Sequence, residues 1–471
     1  MSLRASAAYI ATRIASGALA MLTLALVVRG LGPERYGQLT LALAAAAAVT
    51  LVLFNPINAS LARFYAEADR REALLRLLRR TMLGSGLLLI CVAWGLDALG
   101  HSPFAPWLLS LAACMALAQG MFDFSGQYLA AAQRSARYSL QFVSKALMAC
   151  VFCVLALQIA GGAQAVLVAM TMAFLLAALL AGEVWRPAAI APDIPGDPGL
   201  RGDLLAFGGP LLLTSLLGYL LLWGDRYVLE RLVPLAELGR YSAVMDLAQQ
   251  TLGLIFSGLC TAWYPRLVQA WGRGEGSEAQ RLYERYGALG LAISLPAGLG
   301  FALILPDVLP LLYGEAFASL PPALLALVSA AAVMAGVKAY YFDQPLLLAK
   351  RVWWHAASIG LSAGGGLVLA WLLVPEMGTP GTALGLLLGQ CAGAVVSLWA
   401  GRGVLRPRIP FGLCWPPVCA AILMGGLLWI WPAASWLAVL SKIMAAAGVY
   451  GGAMLMTDFD GVRSRWRRRL A

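Results

Sequence analysis

One phrase of this chain occurs twice. RGLGPERYGQLTLALA spans residues 29–44, and ERLVPLAELGRYSAVMDLA spans residues 230–248. Each copy has an Arg near its start, then Pro, an acidic residue and a Gly close to an aromatic residue, and finally an apolar stretch. Gly37 aligns with Gly239, an offset of 202 residues, with one residue inserted between Pro and Gly in the second copy. The repetition indicates a chain built from two related halves.

The amino-acid composition indicates the environment in which those halves lie. Of 471 residues, 61% are hydrophobic and 12% are charged, and the mean hydropathy is +0.79. Soluble domains carry about 25% charged residues. A bilayer requires roughly 20 apolar residues per helix, with every backbone polar group bonded inside a helix or a closed barrel. The apolar runs are continuous rather than alternating, which favours helices. We therefore predict an all-α polytopic membrane protein.

Apolar runs bounded by charge, Pro and Gly predict about 14 membrane-spanning helices. They lie near residues 8–29, 38–60, 81–100, 105–131, 139–160, 163–185, 204–229, 240–263, 287–312, 320–348, 353–374, 380–400, 411–431 and 434–456. Basic residues collect in cytoplasmic loops, and most of the 34 Lys and Arg fall in every second loop when the N-terminus is cytoplasmic. This alternation supports the number of spans, places both termini in the cytoplasm, and explains the net charge of +11 without nucleic acid.

Shorter features fit the same membrane setting. The first apolar run is too long for a signal peptide, so we expect a retained first helix. Residues 61–80, LARFYAEADRREALLRLLRR, predict an amphipathic helix on the cytoplasmic surface, since leucines cluster between arginines. The basic tail RSRWRRR is typical of an anchor for anionic lipids. The chain carries neither a nucleotide-binding P-loop motif nor an H-E-x-x-H zinc motif.

A second echo extends the repeat along the chain. LAAAQRSARY, residues 129–138, aligns with LLLAKRVWWH, residues 346–355, so that Arg134 aligns with Arg351 at an offset of 217. We predict two six-helix lobes in a parallel pseudo-two-fold repeat, followed by two further helices. The boundaries are an N-lobe at 1–186, a Pro- and Gly-rich cytoplasmic linker at 187–203, a C-lobe at 204–400, and the two extra helices with the basic tail at 401–471. Parallel repeats of this kind are a transporter architecture, with the substrate path between the halves.

Ionisable residues within the spans are the candidate functional residues. A charge at bilayer depth costs about 2.5–3.5 kcal/mol on insertion scales, so it normally faces a cavity or a partner. We predict cavity cations at Arg13, Lys145 and Lys338, and polar or ion-coupling residues at Asp123, Gln127, Asp246, Gln249, Gln250, Asp343 and Gln344. The alternative for Asp123 and Asp343 is that each pairs with a neighbouring cation. Asp225 and Arg226 predict an ion pair at the outer rim of the seventh span. Lys442 predicts an interfacial side chain that snorkels towards water.

The repeated phrases carry a family resemblance. Residues 26–44, LVVRGLGPERYGQLTLALA, and residues 207–248, which include Asp225 and Arg226, resemble the polysaccharide-transporter (Wzx-type) family of the MOP superfamily. The resemblance covers roughly residues 1–400 and implies a flippase working by alternating access. Its implied substrate is an undecaprenyl-pyrophosphate-linked oligosaccharide, moved across the bacterial inner membrane for O-antigen, capsule or exopolysaccharide assembly. Polysaccharide polymerase and export proteins are the implied partners.

The intramembrane cations fit an anionic lipid headgroup, because Lys and Arg pair with phosphate oxygens. No cofactor or metal is expected. The expected energy source is a Na⁺ or H⁺ gradient or the membrane potential, which is worth about 2.3 kcal/mol per charge per 100 mV. Asp246 and Asp343 are the candidates for ion coupling.

Other functions remain open at this point. A MATE-like multidrug antiporter of the same superfamily would need a cavity dominated by acidic residues. A lipid II-type flippase has 14 spans, whereas 12 are typical of Wzx-type proteins. A scaffold within an assembly complex is a further alternative. A membrane enzyme is disfavoured, because the predicted outer loops are too short for a catalytic domain.

Overall fold

The computed structural model describes residues 3–65, 71–100, 107–185, 198–408, 411–457 and 459, and all regular secondary structure in them is helical. The helices are α1 (Leu3–Val49), α2 (Asn55–Phe64), α3 (Arg71–Ala98), α4 (Leu108–Ala131), α5 (Ser135–Ile159), α6 (Ala163–Leu179), α7 (Gly182–Trp185), α8 (Pro198–Leu232), α9 (Leu235–Gly272), α10 (Gly276–Tyr313), α11 (Pro322–Val337), α12 (Gln344–Leu348), α13 (Val352–Met377), α14 (Thr379–Gly401), α15 (Phe411–Ile430) and α16 (Trp436–Met456). Two π-helical segments, Thr50–Phe54 and Lys338–Phe342, interrupt this series. The predicted all-α fold is confirmed.

The described helices supply fourteen membrane spans. Twelve segments are long and apolar enough to cross a bilayer. The first of them, Ala15–Phe64, has 50 residues, about twice what a bilayer core requires. It breaks at Gly32, whose φ of 71° and ψ of 174° leave the helix, just before Pro33. Two spans therefore lie in this segment, and α6, with 17 residues, is the short remaining one.

One predicted element is wrong over the residues that the structure describes. Residues 71–80 are the first turns of α3 and not a separate surface helix. Leu74 and Leu78 are buried, and they continue at helical spacing into the buried Met82. A single apolar stripe therefore runs from the basic segment into the span, which keeps the helix continuous. The preceding residues 66–70 lie outside the described residues.

The chain divides into two compact units. The first comprises Met1–Tyr227 with Pro234–Gly239, and the second comprises Val228–Val233 with Arg240–Ala471. By this division most of α8 belongs to the first unit, together with the connection that follows it. The lobe boundaries expected from the repeat stay a prediction, because much of the expected linker lies outside the described residues.

The turn after the fourth span and its repeat partner have the same backbone geometry. Gln133 and Lys350 have φ of 57° and 55°, and they are the non-glycine residues with positive φ in the described chain. Each is followed by an Arg whose backbone N–H donates to a carbonyl five residues earlier, at 2.8 Å in both copies. Non-glycine residues rarely adopt this conformation. Its presence at both aligned positions makes the offset of 217 a structural repeat.

The arginines of these two turns also make equivalent contacts. Arg134 forms an ion pair with Glu183, and Arg351 donates to the carbonyl of Ala400 at 2.6 Å. Both contacts join residues 49 positions apart. Arg134 thus ties its turn to α7, which follows α6, and Arg351 ties its turn to the last carbonyls of α14.

The repeated phrase is the site of a close backbone crossing within the first unit. A Cβ on Gly37 would overlap the carbonyl oxygen of Leu235, and a Cβ on Gly239 would overlap that of Pro33. Glycine pairs allow membrane helices to approach this closely and to gain packing contacts. Residues 33–37 of the first copy therefore pack against residues 235–239 of the second copy, all within the first unit.

We expect Gly37→Ala and Gly239→Ala to destabilise the protein. Each added methyl group meets backbone atoms that cannot move aside, and overpacking of this kind costs about 1–3 kcal/mol. Thermal unfolding of the purified protein in detergent should begin several degrees lower in each variant. Gly84→Ala is the matched control, because a Cβ there meets nothing within 4 Å. Equal melting of all three variants and the wild type would contradict the close crossing.

The last two helices are held to α10 by a buried ion pair. The Nζ of Lys442 lies 2.6 Å from Oδ2 of Asp307, and the lysine side chain is 3% exposed. The other carboxylate oxygen of Asp307 accepts from the backbone N–H of Ala433 at 3.5 Å. Tyr450 donates to the carbonyl of Ala292 at 2.6 Å. The prediction that Lys442 snorkels at the interface is wrong, since a carboxylate across the packed interface satisfies its charge inside the bundle.

Lys442→Ala should be strongly destabilising, because it leaves the carboxylate of Asp307 buried without its cation. Breaking a buried pair on one side costs about 3–5 kcal/mol. The double variant Lys442→Met with Asp307→Leu removes both charges and should recover most of that loss. Thermal melting of both variants tests this. Were the double variant to melt as low as the single one, the pair would not account for the effect.

Candidate functional site

A lysine ammonium lies near the middle of the fifth span, within the first unit. Lys145 is half-buried and lies about 15 Å along α5 from its start. Its Nζ lies 4.7 Å from the centre of the Phe174 ring and 5.9 Å from that of Phe122. It also interacts electrostatically with Asp123 on α4. Cation–π contacts and a nearby carboxylate stabilise a charge at this depth.

A glutamine one turn earlier fixes this part of α5 against α4. Gln141 is 1% exposed, and its Nε2 donates to Oγ of Ser125 at 2.5 Å and to the carbonyl of Phe122 at 3.3 Å. These bonds set the rotation of α5 about its axis. They therefore hold Lys145 on the face that α4 and α6 share.

The second unit contains a buried lysine–aspartate pair. The Nζ of Lys338 lies 2.9 Å from Oδ2 of Asp343, and both side chains are 3% exposed. The intervening residues form a π-helical turn, in which the N–H of Asp343 donates to the carbonyl of Lys338 at 2.9 Å. Residues five apart do not face each other on an α-helix, whereas the i→i+5 bond of a π-helix brings this pair together.

Three further residues complete that cluster. Oγ of Ser397 on α14 donates to Oδ1 of Asp343 at 2.5 Å, and it lies 2.7 Å from Oγ of Ser358 on α13. Ser358 also donates to the carbonyl of Gly393 at 2.9 Å. Nδ1 of His355 lies 3.9 Å from Oδ2 of Asp343. The aspartate is thus held from three helical segments at once.

The predicted role of Lys338 as a cavity cation needs correction for this conformation. Its ammonium is enclosed and paired with Asp343, as the alternative interpretation of that aspartate expected. A buried ion pair of this kind opens to a ligand only if the carboxylate is released. Binding of substrate by Lys338 stays a prediction.

The remaining predicted residues lie in different surroundings. Arg13 lies in α1, and its side chain is outside the described residues. Gln127 is exposed, Asp246, Gln249 and Gln250 are half-buried on α9, and Gln344 is buried and donates to the carbonyl of Ala339 at 3.0 Å. Asp246 interacts electrostatically with Tyr313. Their assignment to a shared cavity stays a prediction.

Asp225 and Arg226 form an ion pair of 2.8 Å, but not an exposed one. The predicted ion pair is present, and its side chains are 3% and 0% exposed. Its position at the outer rim of the span stays a prediction. The guanidinium also donates to the carbonyl of Leu222 at 2.9 Å and lies 4.6 Å from the ring of Trp223. Partners on its own helix therefore stabilise the charge of this buried arginine.

Sequence reasoning missed His355, Ser358 and Ser397. The two serines have no charged residue within four positions, and His355 follows a basic loop, so no polar stripe inside a span marked these positions. A signal was present for the first two, since Ser358 follows His355 by three residues and therefore shares its helix face. Ser397 had no such signal, because its contact with Asp343 spans 54 positions.

The fold is shared with a solved lipid flippase and with solved multidrug transporters. The chain is similar to "Lipid II flippase MurJ, inward closed conformation", with a TM-score of 0.76 and 11% identity, covering 98% of this chain and 100% of that one. It is also similar to an inward-facing multidrug resistance MATE family transporter of the MOP superfamily, with a TM-score of 0.61, 16% identity and coverage of 82% and 94%. A Vibrio cholerae MATE transporter follows, with a TM-score of 0.54, 14% identity and coverage of 85% and 98%.

The sequence assigns the chain within that class. Residues 2–271 match the family model described as "Polysaccharide biosynthesis protein". This match spans more than half of the chain, and the chain belongs to that family. No curated protein sequence matches it.

Ser397→Ala should lower the stability of the second unit. The change removes a hydrogen bond to a buried carboxylate, and bonds to charged groups contribute about 1.5–3 kcal/mol. Ser441→Ala is the control, because Ser441 is exposed and bonds only to the carbonyl of Ala438 in its own helix. Thermal melting in detergent compares the two. Identical melting would show that Ser397 does not support Asp343.

Proposed function

We propose that this protein is a flippase that moves a polyprenyl-pyrophosphate-linked oligosaccharide across the bacterial inner membrane by alternating access, with both termini in the cytoplasm. Membership of the polysaccharide biosynthesis family supports the substrate class. The observation that carries the proposal is the ammonium of Lys145, which lies near the middle of a membrane span against two aromatic rings and near one carboxylate. The glycan serves O-antigen, capsule or exopolysaccharide assembly.

The chemistry of the headgroup explains why a cation belongs at this depth. A pyrophosphate carries negative charge that the bilayer core excludes. The ammonium of Lys145 has already lost part of its hydration and is held in place by two rings, so it offers phosphate oxygens a charge-assisted partner with little further reorganisation. Arg13 in α1 is the second cation of the proposed headgroup site. The membrane potential adds about 2.3 kcal/mol per 100 mV for each charge moved outward.

Lys145→Ala should slow translocation by tenfold or more, because it removes a charge-assisted bond worth about 1.5–3 kcal/mol. The measurement is flipping of a fluorescent polyprenyl-pyrophosphate-linked sugar in proteoliposomes, at equal protein incorporation. Lys145→Arg retains the charge and should keep much of the rate. Arg231→Ala is the control, because that arginine is 66% exposed and outside the proposed site.

The outcome also separates the alternatives. Full activity of Lys145→Ala would remove this lysine from the headgroup site. Transport of a cationic drug with no flipping of the lipid-linked sugar would make the protein an antiporter. Lipid II is the second candidate substrate, because the structural similarity to the lipid II flippase extends over 100% of that chain. Offering lipid II and an O-antigen-type lipid in parallel decides between the two glycans.

A further inference from the structure

The Lys338–Asp343 pair is enclosed by protein, and the neighbouring His355 is partly exposed. Both of its side chains are 3% exposed, whereas the side chain of His355 is 21% exposed. His355 lies in the first turn of α13, directly after Lys350 and Arg351. The basic-residue pattern places those two residues at the cytoplasmic face. His355 therefore lies between cytoplasmic water and the buried carboxylate.

The orientation of the imidazole matches this position. Nδ1 of His355 is buried, has no hydrogen-bond partner, and lies 3.9 Å from Oδ2 of Asp343. A buried polar nitrogen without a partner is costly and normally has a specific reason. A small rotation of the ring brings Nδ1 within hydrogen-bond distance of the carboxylate.

We propose that Asp343 is a proton-binding site and that His355 carries the proton between cytoplasmic water and Asp343. This inference deepens the proposed function, because the proton would be the coupling ion of the flippase. Nε2 of the imidazole takes a proton from hydronium in cytoplasmic water, and the imidazolium then transfers its Nδ1 proton to Oδ2 of Asp343. The Lys338 ammonium gives up its hydrogen bond to that oxygen in the same step. The carboxyl becomes neutral, the imidazole returns to its neutral form, and the cluster goes from a balanced ion pair to a net charge of +1 on Lys338.

The groups around Asp343 single out histidine for this step. The titratable groups that face the carboxylate are Lys338 from the π-helical segment, His355 from α13 and Tyr283 from α10, and Ser358 and Ser397 add hydroxyl groups from α13 and α14. Histidine is the one of these whose charge changes in the physiological pH range.

The same contacts argue against a metal cation at Asp343. The ammonium of Lys338 already occupies one carboxylate oxygen, and Ser397 occupies the other. A sodium ion would have to displace a lysine that is enclosed by protein. Within the described residues there is no group of three or more His, Cys, Asp or Glu that could hold a metal ion.

Protonation also has a mechanical consequence. A neutral Asp343 leaves Lys338 as an uncompensated buried cation, which the bundle does not tolerate without rearrangement. The pair is aligned by a π-helical turn, and such turns are uncommon and often lie at functional sites. Loss of the ion pair removes the interaction that favours this turn over a regular α-helix. Proton binding would therefore convert this turn to a regular α-helix. The residues after Lys338 would then rotate relative to the residues before it.

The first test uses the small number of histidines. The chain has two, so His101→Asn leaves His355 as the only signal in ¹⁵N-histidine NMR of the full-length protein in nanodiscs. We expect the imidazole to titrate, and we expect Asp343→Asn to move its midpoint to lower pH by half a unit or more, because the carboxylate no longer favours the imidazolium. An unchanged midpoint would overturn the proposal. If Asp343→Asn fails to fold, the coupling test that follows decides the proposal, because its variants leave Asp343 in place.

The second test measures coupling. Proteoliposomes with a trapped pH-sensitive dye receive the polyprenyl-pyrophosphate-linked sugar, and wild type should move protons as it flips lipid. His355→Gln should reduce proton movement and the response of flipping to a pH gradient at least fivefold, and His101→Asn should change neither. Replacing Na⁺ by choline should have no effect.

The two tests separate two kinds of failure. Absence of flipping in the wild type, with the NMR shift intact, would refute the proposed substrate and leave the proton site standing. Flipping that ignores the pH gradient, or that requires Na⁺, would refute proton coupling and leave the flippase standing.

Discussion

The contact on which the architecture depends is the crossing at Gly37 and Gly239. Two backbone segments meet there so closely that neither residue has room for a side-chain carbon. Helices in a membrane gain nothing from burying apolar surface away from lipid, so they associate through packing, and small residues make the closest packing possible. The duplicated phrase supplies the same small residue to both sides of one crossing.

Electrostatics places the second constraint on the bundle. Transfer of a charge into a low-dielectric interior is costly unless a partner travels with it. The buried lysines obey this rule in their own units. Lys338 forms an ion pair with Asp343, and Lys442 forms one with Asp307. Lys145 makes cation–π contacts with two aromatic rings and interacts electrostatically with Asp123. The difference sets Lys145 apart, because aromatic rings are its nearest described partners and the residue is only half-buried.

These two kinds of lysine suggest a division of labour. A half-buried cation is suited to a ligand that brings its own negative charge, as a pyrophosphate does. An enclosed ion pair beside a histidine is suited to a small ligand such as a proton, which changes charge without needing space. A flippase of the polysaccharide biosynthesis family would need both functions if a proton gradient drives it.

Much of this fold was determined by the sequence alone. The apolar runs, the alternation of basic loops and the two repeat offsets predicted an all-α membrane protein with fourteen spans, because a span's length and its flanking charges are local properties of the chain. The sequence also marked the aligned turns at Arg134 and Arg351. It did not predict that α3 begins at Arg71, since the same leucine stripe fits a surface helix or a buried one.

Only the tertiary structure decided which charges meet. Asp225 and Arg226 are neighbours in sequence, yet their burial depends on packing. The hydrogen bond from Ser397 to Asp343 joins residues 54 positions apart. A π-helical turn aligns Asp343 with Lys338, and no periodicity of the sequence predicts such a turn. The sequence gives each residue type directly and allows its depth in a membrane span to be estimated. The partner that satisfies it is set by the rotation of each helix about its axis, and that rotation is fixed only when all the helices pack.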